Sequence, residues 1–408
     1  MNPIICQRSA RCVECGFCKE VLVCPSPSRC VGCQVCYRGC PYEAVDLVND
    51  FQKRENIHIK VNGEMFEVTE GLTVRKALET LGYTYSRFPQ EGNFFAPCET
   101  GGCYSCVLLI NGQPERTCMK AVEDGMDIVT ELPLNYVPRR IISGPSGHSV
   151  GGKATPWWLK AGERYIEVAI WTAGCNLRCP TCQNYEITYD GRSEPVTPYT
   201  AAELVTAARR RYNVDRMAIS GGEPTINRKW LVSYFKILKK LNPDSTARFH
   251  LDSNATILTP DYIDELVEEA YVTDIGLEPK GLRVETFMKI TGITDINLAK
   301  KYHETAWNAV KYTIDRYKDR VFIGIGIPYN KFFMNMEEIR EIGSKIAALD
   351  SDIQVCVLDY FPTFRRINIS RPSPREMLTV KTALEETGLK TVVVQTSIGH
   401  FGPNNIKL

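Results

Sequence analysis

Long apolar runs are missing from this 408-residue chain. None approaches the roughly 18 to 20 apolar residues that a membrane span needs, so no membrane partner is expected. The start, Met1-Asn2-Pro3-Ile4-Ile5-Cys6, lacks a basic stretch leading into an apolar core, and no secretory leader is expected. Excess charge is missing too: 49 Lys and Arg stand against 48 Asp and Glu. A net charge of +1 argues against nucleic acid as the main partner. Arg209-Arg210-Arg211 and Lys239-Lys240 are short, and read as solvated helix ends. Histidine is scarce, with five in all. Cysteine is absent from the C-terminal half except for Cys356.

What the chain does have is 17 cysteines, 16 of them crowded before residue 183. A secreted disulfide scaffold is small and carries cysteine throughout. Gaps of two to five residues suit metal centres in a reducing cytoplasm better. Residues 1–50 are mostly cysteine motif and turn, with too little apolar material for a core, so bound metal must organise them. Residues 56–131 read as a small α+β domain. Ile57–Val61 alternates as a strand, Asn62-Gly63 is a hairpin turn, and Thr73–Leu81 is a helix ending at Gly82. Residues 132–164, rich in Gly, Pro and Ser and ending near Trp157-Trp158, read as a connector packing across other domains.

From 165 to 408 strands and helices alternate. Strands are expected at Ile166–Trp171, Met217–Ser220, Ala247–Asp252, Val272–Leu277, Phe322–Ile327 and Ile353–Asp359. Helices are expected near 200–211, 228–240, 260–269, 297–317, 336–348 and 374–387. Such alternation gives an α/β fold with a parallel sheet, and sites at the C-terminal strand ends.

Cys30-x-x-Cys33-x-x-Cys36-x-x-x-Cys40-Pro41 has the spacing of bacterial ferredoxins. Cys12-x-x-Cys15-x-x-Cys18 followed by Cys24-Pro25 is a second copy, whose last gap is five rather than three. The segment resembles a two-cluster ferredoxin. By that resemblance Cys12, Cys15, Cys18 and Cys40 hold one [4Fe-4S] cluster, and Cys24, Cys30, Cys33 and Cys36 another. Cys98-x4-Cys103-x2-Cys106, with Cys118 further on, has the plant-type two-iron spacing, and its domain resembles β-grasp [2Fe-2S] ferredoxins. Gly101-Gly102 is expected to let backbone N–H groups approach the sulfides. Structural zinc is the competing reading at each site.

The loop Cys175-Asn-Leu-Arg-Cys179-Pro-Thr-Cys182 offers three thiolates, one fewer than a four-iron cluster needs. Ser220-Gly221-Gly222-Glu223-Pro224 ends the second expected strand, Asp252-Ser253-Asn254 the third, and Glu278-Pro279-Lys280 the fourth. With these motifs the region resembles the radical S-adenosylmethionine (SAM) superfamily, within it the group related to pyruvate formate-lyase activating enzyme. The resemblance implies a partial TIM-like (β/α)6 barrel and a third [4Fe-4S] cluster on Cys175, Cys179 and Cys182, whose open iron binds SAM. It implies SAM contacts from Gly221, Gly222, Glu223, Pro224, Asp252, Asn254 and Lys280, Glu223 facing the methionine ammonium. Glu278 departs from the Asp usual at that position.

The function expected from this resemblance is reductive cleavage of SAM and hydrogen abstraction from a small molecule or a protein. The built-in ferredoxin clusters would relay electrons from an external low-potential donor. A glycyl-radical-enzyme activase and a non-catalytic electron-transfer protein are the alternatives. Cys356 reads as a buried inert cysteine or, if it faces the barrel interior, as a hydrogen-atom donor. Cys6 reads as a spare or alternate ligand. His58, His250 and His303 read as packing or surface residues, and His400 is given no role.

Overall fold

The computed structural model describes residues 3–160 and 164–408. Met1-Asn2 and residues 161–163 of the expected connector lie outside the described residues. The chain divides into two compact units. The first comprises Met1–Ile142, Thr172–Asn176 and Asn184–Thr197; the second comprises Ser143–Trp171, Leu177–Gln183 and Pro198–Leu408.

The first unit opens with β1 (Ile4–Arg8), helical turns α1 (Phe17–Glu20) and α2 (Val35–Gly39), and β2 (Val45–Asn49), which pairs antiparallel with β1. Its buried apolar residues are few: Phe17, Leu22, Val31, Val35, Ala44 and Val45. Next, β3 (Asn56–Val61) and β4 (Glu64–Thr69) form the expected hairpin. Asn62 and Gly63 both take positive φ, 51° and 90°, as a two-residue type I′ turn demands. Helix α3 (Val74–Thr80) starts where the Thr73 hydroxyl accepts the Lys76 N–H at 3.2 Å. Short strands β5 (Tyr85–Ser86) and β6 (Phe94–Phe95) follow, then β7 (Val107–Ile110), β8 (Gln113–Arg116) and β9 (Asp127–Val129). The five-stranded sheet runs β4-β3-β9-β7-β8, with β3 and β9 parallel. Its core is Ile59, Val61, Val74, Leu78, Leu108, Ile110 and Ile128. The turn α4 (Tyr185–Thr188) also belongs to this unit.

The second unit is a nine-stranded sheet ordered β10 to β18 in chain sequence. Its strands are β10 (Ile142–His148), β11 (Glu167–Thr172), β12 (Arg216–Gly221), β13 (Arg248–Ser253), β14 (Asp274–Leu277), β15 (Phe322–Tyr329), β16 (Gln354–Asp359), β17 (Val392–Thr396) and β18 (Gly399–Phe401). From β12 to β17 all neighbours are parallel, and β18 is antiparallel to β17. Helices α5 (Pro198–Tyr212), α6 (Arg228–Leu241), α7 (Pro260–Asp264), α9 (Ile296–Tyr317), α10 (Met336–Leu349) and α11 (Pro374–Glu385) lie where periodicity places them. Helix α8 (Val284–Thr291) was not expected; two turns are too short for a period to show. Among the described residues no helix is long and apolar enough to cross a membrane.

Part of the expected connector, from residue 143 on, is assigned to the second unit. In that unit β10 extends the sheet, and the residues after it pack against β15 and β16. Strand β15 shows why they fit. In Phe-Ile-Gly-Ile-Gly-Ile, the isoleucines and glycines fall on opposite faces. A Cβ on Gly324 would stand 2.1 Å from the Lys153 carbonyl oxygen, and one on Gly326 would strike the Lys153 side chain. Gln354 secures the inserted segment, donating to the carbonyls of Lys153 (2.8 Å) and Thr155 (2.9 Å) while accepting the Trp157 N–H (2.9 Å).

Candidate cluster sites and barrel lumen

In the first unit Cys12, Cys15, Cys18 and Cys40 together line one chamber of about 170 Å³. Local backbone bends turn them inward: Glu14 and Gly16 take positive φ, as do Gly32 and Gln34 in the second run. A non-glycine residue there costs roughly 1–2 kcal/mol, which ligation would offset. Sulfurs also receive backbone N–H groups, such as Ala44 to Cys40 Sγ at 3.3 Å. The second run gathers five cysteines. Cys24, Cys30, Cys33 and Cys36 interact electrostatically with one another. Cys6 on β1 donates its N–H to Cys30 Sγ at 3.4 Å, and its thiol hydrogen-bonds Cys30 and Cys36, holding both below the usual thiol range. Cys24 is exposed at the rim.

Cys98, Cys103, Cys106 and Cys118 are all buried, with Cys106 and Cys118 sulfurs 3.3 Å apart. Thr100 N–H reaches Cys98 Sγ and Ser105 N–H reaches Cys103 Sγ, each at 3.5 Å. Gly101 takes φ 90°. Gly102 is also constrained by packing: a Cβ there would meet Ala173 Cβ at 2.6 Å and the Gly174 nitrogen at 3.0 Å. Gly174 in turn lies against Cys103, whose Cβ would be 2.8 Å from one at 174. Cys103 therefore abuts the residue preceding Cys175. Cys33 and Cys118 line a shared cavity of about 30 Å³. Beside it Arg38 pairs with Glu99 at 3.2 Å. The donor sets fit [4Fe-4S], [4Fe-4S] and [2Fe-2S] groups in turn.

The loop after β11 carries its cysteines partly buried. Within the second unit, Arg178 N–H donates to Thr291 O at 2.8 Å and Arg365 N–H to Pro180 O at 3.0 Å, which fixes the Cys179–Cys182 turn. The Tyr360 hydroxyl, just past β16, hydrogen-bonds Cys179. Gly221 and Gly222 are only partly buried at the end of β12. Glu223 is buried and its carboxylate is already engaged: it accepts from Thr225 N–H (3.1 Å), Thr225 Oγ1 (2.6 Å), Ser253 Oγ (2.8 Å) and Asn254 N–H (2.7 Å). It ties the end of β12 to the end of β13, with Pro224 starting a short turn between them. Asn254 makes a local turn of its own, accepting from Thr256 N–H at 3.0 Å.

Asp252 lines a cavity at the strand ends of the second unit. His250 Nε2 lies 3.1 Å from it and Lys153 Nζ 3.6 Å. Lys153 also pairs with Glu278 at 3.3 Å, and Glu278 with Lys280. Glu278 thus joins the inserted segment to the strand-end lysine, whose ammonium lies 6.0 Å from the Tyr360 ring centre. Glu167 is bracketed by His148 (2.8 Å), His250 (3.8 Å) and the Thr155 hydroxyl (2.9 Å). Burial opposes charge on His250, but Asp252 and Glu167 outweigh it and hold its pKa up to about 9. Asp252 is pulled down to about 2 against burial, by Lys153 and His250.

His148, Lys153, Glu167 and Asp252 line that cavity of about 310 Å³, with Cys356, His400, Gln395 and Lys160 also on its wall. Cys356 pairs in register with Gly326 and donates its thiol to Lys153 O at 3.4 Å; burial pushes its pKa up. Sequence reasoning missed Lys153, Lys160, Glu167, Gln183 and His250. The available signals were His250-x-Asp252, two residues on one strand face, and the alternating glycines of β15, which mark a filled lumen.

Residues 169–345 match the radical SAM superfamily, and residues 54–133 match the 2Fe-2S iron-sulfur cluster binding domain. Uncharacterized iron-sulfur proteins of Methanocaldococcus jannaschii and Methanococcus maripaludis are 43% identical over 67 residues and 35% over 81. Those stretches are 16% and 18% of this chain, and span only 13% and 16% of the relatives' own length. A 7-carboxy-7-deazaguanine synthase of Hyperthermus butylicus is 29% identical over 188 residues, 43% of this chain and 74% of that protein. Native anSMEcpe with bound AdoMet aligns with a TM-score of 0.35 at 17% identity, covering 52% of this chain and 57% of that one. The chain carries a radical SAM domain and a 2Fe-2S ferredoxin-like domain.

Proposed function

We propose that this chain is a radical SAM enzyme with its own electron supply, acting on a small molecule held in the barrel lumen. A [4Fe-4S] cluster on Cys175, Cys179 and Cys182 with SAM on its open iron would supply reductive cleavage to methionine and a 5′-deoxyadenosyl radical. The carbonyls at Gly221-Gly222 would take the methionine ammonium, with Glu223 holding that turn in place. Lys280, Asp252 and Asn254 border the same strand ends. The inserted segment 149–156 closes part of the lumen, which limits water near the reacting atoms.

The observation that carries this reading is the contact between Cys103 and Gly174. It supports an electron path that ends beside Cys175. The cavity shared by Cys33 and Cys118 extends that path back to the four-iron sites. An external low-potential donor would supply the electrons, and cytoplasm is the compartment that suits so many thiolates. A cavity of about 310 Å³ favours a small molecule over an activase's protein substrate.

The test is anaerobic incubation with dithionite and SAM. The expected product is 5′-deoxyadenosine, lost on Cys179→Ala while the other clusters keep their EPR signals. No 5′-deoxyadenosine above the no-enzyme control, at full iron loading, would reduce the chain to an electron carrier.

A further inference from the structure

The ion pairs of the lumen close on themselves with one exception. Glu167, Asp252 and Glu278 are the acids; Lys153, Lys280 and protonated His250 answer them. Half-exposed His148 adds to Glu167. His400 brings no second cation, since burial, with Lys160 and His148 nearby, lowers its pKa to about 4. Lys160 is left over. It is buried, and its ammonium donates to Val150 O (2.7 Å) and Gly152 O (3.1 Å), with a long contact to Gly151 O at 3.5 Å. No carboxylate lies within 4 Å of it among the described residues. Burial lowers its pKa, and the more distant Glu167 and Asp252 offset only part of that; a buried cation without a close counter-charge is costly. A second donor also lacks a partner: the buried Nε2 of Gln183, on the same cavity wall.

We propose that the lumen binds a small-molecule carboxylic acid, with its carboxylate against the Lys160 ammonium. The proposal rests on the catalytic reading above and names its substrate class. One unmatched ammonium suits a monoanion. No arginine lines the cavity to make the fork that a phosphate dianion favours. Trp171, Val357, Leu358 and Val393 supply an apolar wall for the body of the acid, and the volume suits a compact molecule.

The experiment uses the reconstituted full-length holoenzyme with dithionite and SAM. The probe is the fraction below about 1 kDa of an anaerobic extract of the source organism, separated on an anion-exchange resin. Stimulation of 5′-deoxyadenosine formation is expected from the retained fraction, to survive phosphatase, and to be lost when carboxylates are methyl-esterified. Lys160→Met should raise the amount needed for half-maximal stimulation roughly tenfold or more, and Lys160→Arg should restore part of it. Binding of radiolabelled SAM should be unchanged in both. Stimulation only from the unretained fraction, loss on phosphatase treatment, or basal product that no fraction stimulates would each overturn the proposal. So would Lys160→Met acting on SAM affinity instead. If Lys160→Met does not fold, the fractionation decides alone. Wild-type enzyme forming no 5′-deoxyadenosine at all is a different result, which removes the catalytic reading itself.

Discussion

Residues 3–50 and the α/β second unit place their functional groups by opposite means. In the first, half a dozen buried apolar side chains support nine cysteines, two of them exposed. In the second, Ile, Val and Leu fill strand after strand, and the polar groups are pinned inside by one another. The 2Fe-2S ferredoxin-like domain lies between these extremes, with an apolar core of its own beneath four buried cysteines. Where a core exists it positions chemistry directly; where it is absent, the ligated metal has to serve as the core.

Removing iron should widen this contrast most. Anaerobic chelation is expected to bring the amides of 3–50 to the exchange rates of an unfolded chain, while β12–β17 keep their protection. Hydrogen exchange measures both in one sample. Full protection of 3–50 without iron would mean that the short β1–β2 ribbon folds on its own. Next in size is the lumen. Lys153→Met leaves Asp252 and Glu278 short of a cation inside the barrel, and breaking such a buried set costs about 3–5 kcal/mol. Denaturant unfolding of the barrel should register that loss while the EPR signals of the first unit stay put.

The same contrast decides what was legible in the sequence. Strands β11 to β16 show in advance because β-branched runs recur between amphipathic helices. The cysteine runs show because ligand spacing is local. The inserted segment does not, because Gly151-Gly152-Lys153-Ala154-Thr155 has no period. Its partners, Asp252, Gly324 and Gln354, lie about 100 to 200 residues away. Glu223 illustrates the limit within a motif: its charge suggests a cation site, and only the fold supplies the four donors that occupy it.

A smaller effect tests the lumen through pH. The folded pKa of His250 is raised from 6.5 to about 9. A raised pKa stabilises fully below the unfolded value, so the contribution is present below pH 6.5 and is lost as pH rises through 9. Its size is at most on the order of 3 kcal/mol. The melting temperature of the holo protein should therefore fall between pH 6.5 and 9.5, and His250→Gln should flatten that slope. An equal slope in the variant would place the titrating group elsewhere, such as at the cluster thiolates.

The finest distinction concerns the five cysteines of the second run. A four-iron cluster takes four, and Cys6 touches Cys30 and Cys36 through hydrogen bonds that a ligand sulfur would not make to its fellow ligands. Donors to cluster sulfurs raise the reduction potential. Cys6→Ala should therefore keep the iron, about fourteen per chain for three four-iron and one two-iron clusters, and lower one [4Fe-4S] potential. Cys24→Ser should instead lose about four irons. Iron analysis with EPR-monitored titration separates the two. The reverse pattern, iron lost with Cys6 and kept without Cys24, would make Cys6 the fourth ligand and explain why the gap before Cys24 is free to be five.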